Sequence, residues 1–308
     1  MVESERHWSK VGEAGTILGM KLLLLIYRLL GRKGFKLLLL PVMSYYYFFK
    51  KEAREASKQY LDQLRPFLAN EKSGSLSSFN HFLMFGEVLL DKILVWMGDI
   101  RREDVVFEMP TVLEKIDNSH KGGVIIVSHL GNTEVCSALA HQIPDIRLTL
   151  LMYTEHAQKF NAMIKKVSSG AQIEILQVTD ISPATAMVLS ERIEAGEYIV
   201  IAGDRTPVTG LERVSKVRFL GKKAPLPQGA FILGSLLKCP VYLMFCLKEQ
   251  AQYHIYVELF SPLLKFHRKE REVEINSCVQ RYADRLEYYC LKAPLQWFNF
   301  FPFWGDEP

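Results

Sequence analysis

The chain has few cysteines, five in 308 residues, and their number is odd. Cys136, Cys239, Cys246, Cys278 and Cys290 lie mostly in apolar surroundings, with no paired metal-ligand spacing. That pattern argues against a zinc site and against the disulfide framework of a small secreted domain, so reduced core thiols are expected. The opening "MVESERHWSK" mixes both charges and lacks the basic-then-apolar order of a signal peptide. No internal repeat or low-complexity tract stands out. A formal net charge of +4 is too small to imply nucleic acid by itself. No "GxSxG" elbow and no "HExxH" zinc motif occur, so neither a serine nucleophile on a strained turn nor a zincin helix is signalled.

What is present is a large apolar fraction, 49%, enough for one large core or two modest ones. Two apolar segments, "TILGMKLLLLIYRLL" (16–30) and "FKLLLLPVMSYYYFF" (35–49), are separated by "GRKG". Each falls short of the ~20 residues that a spanning helix needs. Pro41 and the basic residues interrupt them further. Lys21, Arg28 and Arg32 recur at helical spacing and would form one basic stripe opposite the leucines. This composition fits an interfacial helix or shallow hairpin whose basic residues reach headgroups. A pair of buried core helices is the alternative. Residues 1–50 are therefore read as membrane-associating helices. Residues 51–308 are read as an α/β domain with a helical lead-in.

In that lead-in, "KKEAREASKQYLDQLRPFLAN" reads as a solvated helix ending near Pro66 or Asn70. "FNHFLMFGEVLLDKILVWMGD" reads as a buried helix, with His81 a satisfied structural histidine. Beyond it, strand and helix patterns alternate. The strands are "VVFEM", "GVIIVS", "IRLTLLMY", "IEILQV" and "EYIVIAG". The helices are "PTVLEKIDNS", "TEVCSALAHQI", "AQKFNAMIKKVSS" and "SPATAMVLSERIEAG", the last with Ser182 as N-cap and Pro183 at its first position. The fold class expected is α/β: a mixed, mostly parallel sheet with helices on both faces, preceded by membrane-associating N-terminal helices. Ligands in such sheets sit beyond the strand C-termini.

The segment "SHLGNTE" follows the strand "GVIIV" and so falls at such an edge. Gly131 suits a tight bend, Asn132 or Thr133 can cap the next helix, and Glu134 is favoured in its first turn. An ordinary β–α turn explains those three residues but not His129. A histidine at the end of a buried strand is placed to take a proton. The first-turn carboxylate of Glu134 could fold back on the ring, hold its tautomer and stabilise imidazolium. With no serine elbow, such a pair would activate a hydroxyl supplied by substrate.

"HLGNTE" resembles the H-x4-D/E signature of the lysophospholipid and glycerolipid acyltransferase superfamily, and is closest to the bacterial late lipid A acyltransferase branch. "GEYIVIAGDRTPV" and "VRFLGKKAPLPQGAFILGSLLKCPV" resemble further segments of that branch, and the N-terminal apolar anchor and "APLQWFNFFPFW" also fit it. "HWSKVGEAGTILGMKLLLLIYRLLGRK" resembles a subset associated with aryl polyene lipid clusters. The resemblance implies an acyltransferase at the cytoplasmic face of a bacterial inner membrane, with no cofactor and no metal. His129 would be general base and Glu134 its partner. Asp204 and Arg205 would sit at the edge of the same cleft, and Gly131 and Asn132 would contribute to substrate binding. The thioester donor would be acyl carrier protein or acyl-CoA, and the acceptor a membrane lipid or lipid precursor. Oxyanion donors would come from N–H groups near Gly131 or from Arg205.

The basic segment from Arg213 to Lys223, with Arg218 and Lys222, would receive an acidic carrier or a phosphopantetheine; an ordinary solvated basic face is the alternative. One departure is that Lys165 and Lys166 occupy a region where the branch usually has an arginine. A lysine binds phosphate as a point charge rather than a fork, which weighs against a bis-phosphorylated disaccharide acceptor. Two rival functions are a hydrolase giving the acyl group to water and a non-catalytic membrane-binding module.

Overall fold

The structure is a computed structural model that describes residues 17–68, 76–108, 121–140, 146–152, 173–177, 182–206, 213–250 and 252–304. Helices expected at "PTVLEKIDNS" and "AQKFNAMIKKVSS", and with them Lys165 and Lys166, lie outside the described residues.

Helix α1, Ile17–Phe49, is broken by a kink at Gly31 (φ 64°), so the "GRKG" stretch does separate two helical segments. In its second half Phe35, Leu39 and Met43 recur every four residues and are buried. They pack on Phe82, Leu90 and Leu94 of α3, Ser78–Trp96. Between them lies α2, Lys51–Leu64, continued by a 3₁₀ turn through Pro66. The other side of α1 is not covered: Leu37, Leu40, Tyr45, Phe48 and Phe49 are exposed. Among the described residues, no helix is long and apolar enough to cross a membrane.

The strands are β1 (Val105–Glu108), β2 (Gly123–Val127), β3 (Leu148–Met152), β4 (Ile173–Gln177), β5 (Tyr198–Ala202), β6 (Val214–Phe219), β7 (Lys222–Pro227), β8 (Val241–Glu249) and β9 (Gln252–Ser261). Seven of them form one sheet in the order β1-β9-β8-β2-β5-β3-β4. All neighbouring pairs are parallel except β8–β9. The remaining helices are α4 (Thr133–Ala140), α5 (Pro183–Glu194), α6 (Gly229–Leu237) and α7 (Arg271–Lys292). Ser182 caps α5 by accepting the Thr185 N–H at 3.1 Å, as its position before Pro183 predicts.

Both sheet faces are covered, and the period-2 alternation of β2 shows how. Val124 and Ile126 enter a core with α5, α6 and α7 residues such as Leu189, Phe231 and Tyr282. Ile125, between them, enters a second core with Val95 of α3 and Val135 and Cys136 of α4. A near-continuous apolar run such as "GVIIV" is what a strand buried on both faces requires. The β6–β7 hairpin lies outside the main sheet and packs on α7, where Gln280 bonds both the N–H and the carbonyl of Arg218.

Candidate functional site

Strands β2 and β5 are parallel neighbours in register Val127↔Ala202. Two residues beyond each of these positions lie His129 and Asp204. Register alone therefore brings a histidine and a carboxylate together at the C-terminal edge of the sheet. The approach is close because Gly203 has no side chain: a Cβ there would fall 2.5 Å from Ile126.

The Asp204 carboxylate is buried, 1% exposed, and has three partners. Oδ1 accepts from His129 Nδ1 at 2.8 Å. Oδ2 accepts the backbone N–H of His129 at 2.8 Å and the indole Nε1–H of Trp297 at 2.9 Å. Burial pushes the Asp204 pKa up, but the neighbouring His129, then Arg205 and the Trp297 hydrogen bond, outweigh it and hold the group at about 2. The acid therefore stays ionised and fixes the ring with Nδ1–H donating. Nε2 is left with its lone pair and has no partner among the described residues. The His129 side chain is 43% exposed while its carboxylate is buried, so the free nitrogen belongs to the accessible end of the pair.

Arg205 lies on the same loop. Its guanidinium donates to Asn299 Oδ1 at 3.0 Å and the Phe298 carbonyl at 3.3 Å, and stacks 4.5 Å from the Phe301 ring centre. Its Nε lies 3.3 Å from His129 Nδ1. Because Nδ1 carries the proton shared with Asp204, that contact is a proximity of charge to ring rather than a hydrogen bond. Burial lowers the Arg205 pKa to about 10, opposed by Asp204, and the residue remains a cation.

The expectation that Glu134 would fold back on His129 is corrected by the geometry. Its carboxylate bonds Lys92 of α3, and its other oxygen accepts from the Thr133 hydroxyl at 3.3 Å. Lys92 lies across the first turn of α4 and captures the carboxylate. Burial would raise the Glu134 pKa, but Lys92 outweighs it, so the group is held below its ordinary value. Its influence on His129 is through space.

Gly131 and Asn132 are both buried behind the turn. Gly131 has φ 75°, and a Cβ there would meet the Cys246 carbonyl at 1.9 Å, so only glycine fits. Its N–H donates to the Gln296 carbonyl at 2.8 Å, and that of Asn132 to the Cys246 carbonyl at 2.8 Å. Of the N–H groups near Gly131 expected to serve an oxyanion, those of Gly131 and Asn132 are thus already committed.

Trp297 is the tryptophan of the Pro-x-x-Trp pattern in the aromatic C-terminal segment, but sequence reasoning assigned it no role in the site. It is wholly buried, bridges Leu130, and meets Phe219 of the β6–β7 hairpin at 5.2 Å between ring centres. His81 is the satisfied core histidine expected. It makes 3.0 Å contacts to Ser57 Oγ and to the Trp297 carbonyl, and burial lowers its pKa to about 4. Arg218 and Lys222 are exposed on the hairpin, Arg218 opposite Lys223 and Lys222 opposite the buried Phe219, whose ring meets the Trp297 that bonds Asp204.

Compared with known families, residues 6–305 match the model of the bacterial lipid A biosynthesis acyltransferases. No curated protein matches the chain. The family match covers both sides of the site, from the His129 turn to Trp297.

Proposed function

As the chain belongs to the bacterial lipid A biosynthesis acyltransferase family and is an acyltransferase acting on lipid, we propose that His129 is its general base. The observation that carries this reading is the 2.8 Å contact of His129 Nδ1 with a buried, ionised Asp204, which leaves Nε2 free on the accessible side. The acceptor, a hydroxyl or amine on a lipid, loses its proton to Nε2 as it attacks the thioester carbonyl. Asp204 stabilises the imidazolium that forms. The carbon–sulfur bond then breaks, and the thiol leaves with the proton from Nε2. The Arg205 cation, its Nε 3.3 Å from His129 Nδ1, supplies positive charge for the developing oxyanion. Glu134, held by Lys92, contributes negative charge near the imidazolium.

The donor is acyl carrier protein, received by the β6–β7 hairpin. Lys216, Arg218, Lys222 and Lys223 are all exposed there, and Arg218 lies directly across from Lys223. Like charges opposite one another destabilise a hairpin, so a face built this way gains most when an acidic partner covers it. The protein works at the cytoplasmic face of the inner membrane. The uncovered apolar side of α1 lies in the bilayer surface there; Arg218 and Lys222 meet the carrier, while Gly131 and Asn132, both buried, shape the turn that presents His129 to the substrates.

The test is product analysis by mass spectrometry. Purified protein with an acyl-carrier thioester and a lysophospholipid or lipid-precursor acceptor should give acylated lipid, and His129→Ala should not. Release of free fatty acid at the same rate with and without acceptor would make the protein a hydrolase instead. Undiminished acyl transfer by His129→Ala would remove His129 from the chemistry.

A further inference from the structure

A second polar cluster holds the same catalytic turn from its other end. Asp91 on α3 is wholly buried. Its Oδ2 accepts from Lys248 Nζ at 2.5 Å and from the Tyr253 hydroxyl at 2.6 Å, and its Oδ1 accepts from Arg32. A buried carboxylate with partners on three other elements is costly to build unless each partner is in place. Lys248 comes from β8, Tyr253 from β9 and Arg32 from α1.

The Tyr253 hydroxyl, having donated to Asp91, accepts the side-chain N–H of Asn132 at 3.4 Å. Asn132 lies three residues after His129 and would be expected to cap α4 with its side chain. That side chain is turned to Tyr253 instead, and its Oδ1 is buried without a partner among the described residues. The next residue on α3, Lys92, binds Glu134. Two consecutive α3 side chains are therefore linked to the two ends of the segment Asn132–Glu134, Lys92 directly to Glu134 and Asp91 through Tyr253 to Asn132. Lys248, only 8% exposed, holds one oxygen of Asp91 and Arg32 holds the other, so withdrawing Arg32 takes away the partner of Oδ1. Arg32 follows the kink at Gly31, on the helix whose far side exposes Leu37, Leu40 and Phe48.

We propose that Arg32, Asp91, Tyr253 and Asn132 form a positioning relay through which the seating of the N-terminal helix on α3 sets the catalytic turn that carries His129. The relay rests on the reading of His129 as the base, but its geometry does not depend on that reading. The helix that meets the lipid surface and the turn that takes the proton are joined by four side chains. When α1 is not seated, Arg32 is withdrawn, Asp91 and Tyr253 relax, and Asn132 loses its acceptor.

The experiment uses the full chain on phosphatidylethanolamine–phosphatidylglycerol vesicles, with the variants Arg32→Gln, Arg32→Lys and Tyr253→Phe. Small misplacements of a reacting group cost on the order of tenfold to hundredfold in rate. Arg32→Gln and Tyr253→Phe should therefore lower kcat by about tenfold while KM for the acyl donor changes less than about twofold. Arg32→Lys should recover most of the loss. Vesicle co-sedimentation should be unchanged, because the exposed apolar side of α1 is untouched. Amide exchange in the peptide 123–135 should be about tenfold faster in Arg32→Gln and Tyr253→Phe than in the parent, and the same difference should appear in a His129→Ala background. If exchange in that peptide is unchanged, or if Arg32→Gln weakens vesicle binding and leaves kcat alone, Arg32 is an anchor only and the relay is overturned. Because exchange does not require turnover, the relay is judged even if His129→Ala proves active.

Discussion

Asp204 grips His129 at two points, the ring Nδ1 and the backbone N–H, each at 2.8 Å. One carboxylate thus sets the position of the strand end and the tautomer of its side chain together. Trp297 completes the grip by donating to Oδ2 at 2.9 Å. General-base catalysis is worth about 10²–10⁴-fold, so His129→Ala should lower kcat by that amount. Asp204→Asn should cost a comparable factor, because the amide can donate to Nδ1 and stabilise the other tautomer. The double variant should be little worse than His129→Ala, since the two act as a unit. Steady-state kinetics of the three variants settle this; independent, multiplying losses would separate the residues.

Trp297→Phe keeps the ring packing and removes one hydrogen bond to a charged group, worth about 1.5–3 kcal/mol. The lost N–H leaves Asp204 less well oriented. Turnover should fall by roughly tenfold with KM nearly constant. The acid limb of the kcat–pH profile should also move, whereas a change in packing alone would lower the melting temperature and leave the profile in place.

Glu134 gives a contrasting expectation. Its hydrogen bonds run to Lys92 and Thr133, so Glu134→Gln should cost less activity than Asp204→Asn. Lys92→Met should reduce activity in the same direction by freeing the carboxylate. Rates measured side by side for Glu134→Gln and Asp204→Asn test this; an equal or larger loss at Glu134 would return it to direct contact with the base.

His81 makes folding sensitive to acid. Its pKa is about 4 in the folded chain, against 6.5 as the ordinary value. The unfolded chain therefore binds the extra proton between these pH values. Stability is fully present above pH 6.5 and declines as pH falls towards 4, by about 3 kcal/mol. Denaturant midpoints followed over that range should show the decline. His81→Gln, which does not titrate, should be less stable at neutral pH but flatter over the same interval.

The exposed hairpin predicts a salt dependence. Screening acts over ~8 Å at physiological ionic strength, so turnover at limiting carrier protein should fall with added salt while turnover at saturation changes less. Charge reversal at Lys216, Arg218 and Lys222 should raise KM for carrier more than it lowers kcat. If acyl-CoA serves as well as carrier protein and the reversed variant keeps the parent's KM for carrier, the hairpin is an ordinary solvated face.

Much of this molecule was legible in the order of its residues. The apolar run of "GVIIV", the cap at Ser182 and the break at "GRKG" each follow from local chemistry, and so do the elements they bound. His129 stood out because an ordinary β–α turn does not account for a histidine at a buried strand end. The partner of that histidine was not legible by the same logic. Sequence distance favoured Glu134, five residues away, but which carboxylate reaches a ring depends on which strands are neighbours and in what register. The pairing Val127↔Ala202 makes Asp204, 75 residues on, the closer group, and Lys92 from a different helix removes Glu134 from contention. The same holds for Trp297 and Asp91, whose roles arise only where the C-terminal segment and the α1–α3 pair close over the turn. Local sequence sets the backbone preferences of each element; the pairing of strands and the burial of charge decide which side chains meet.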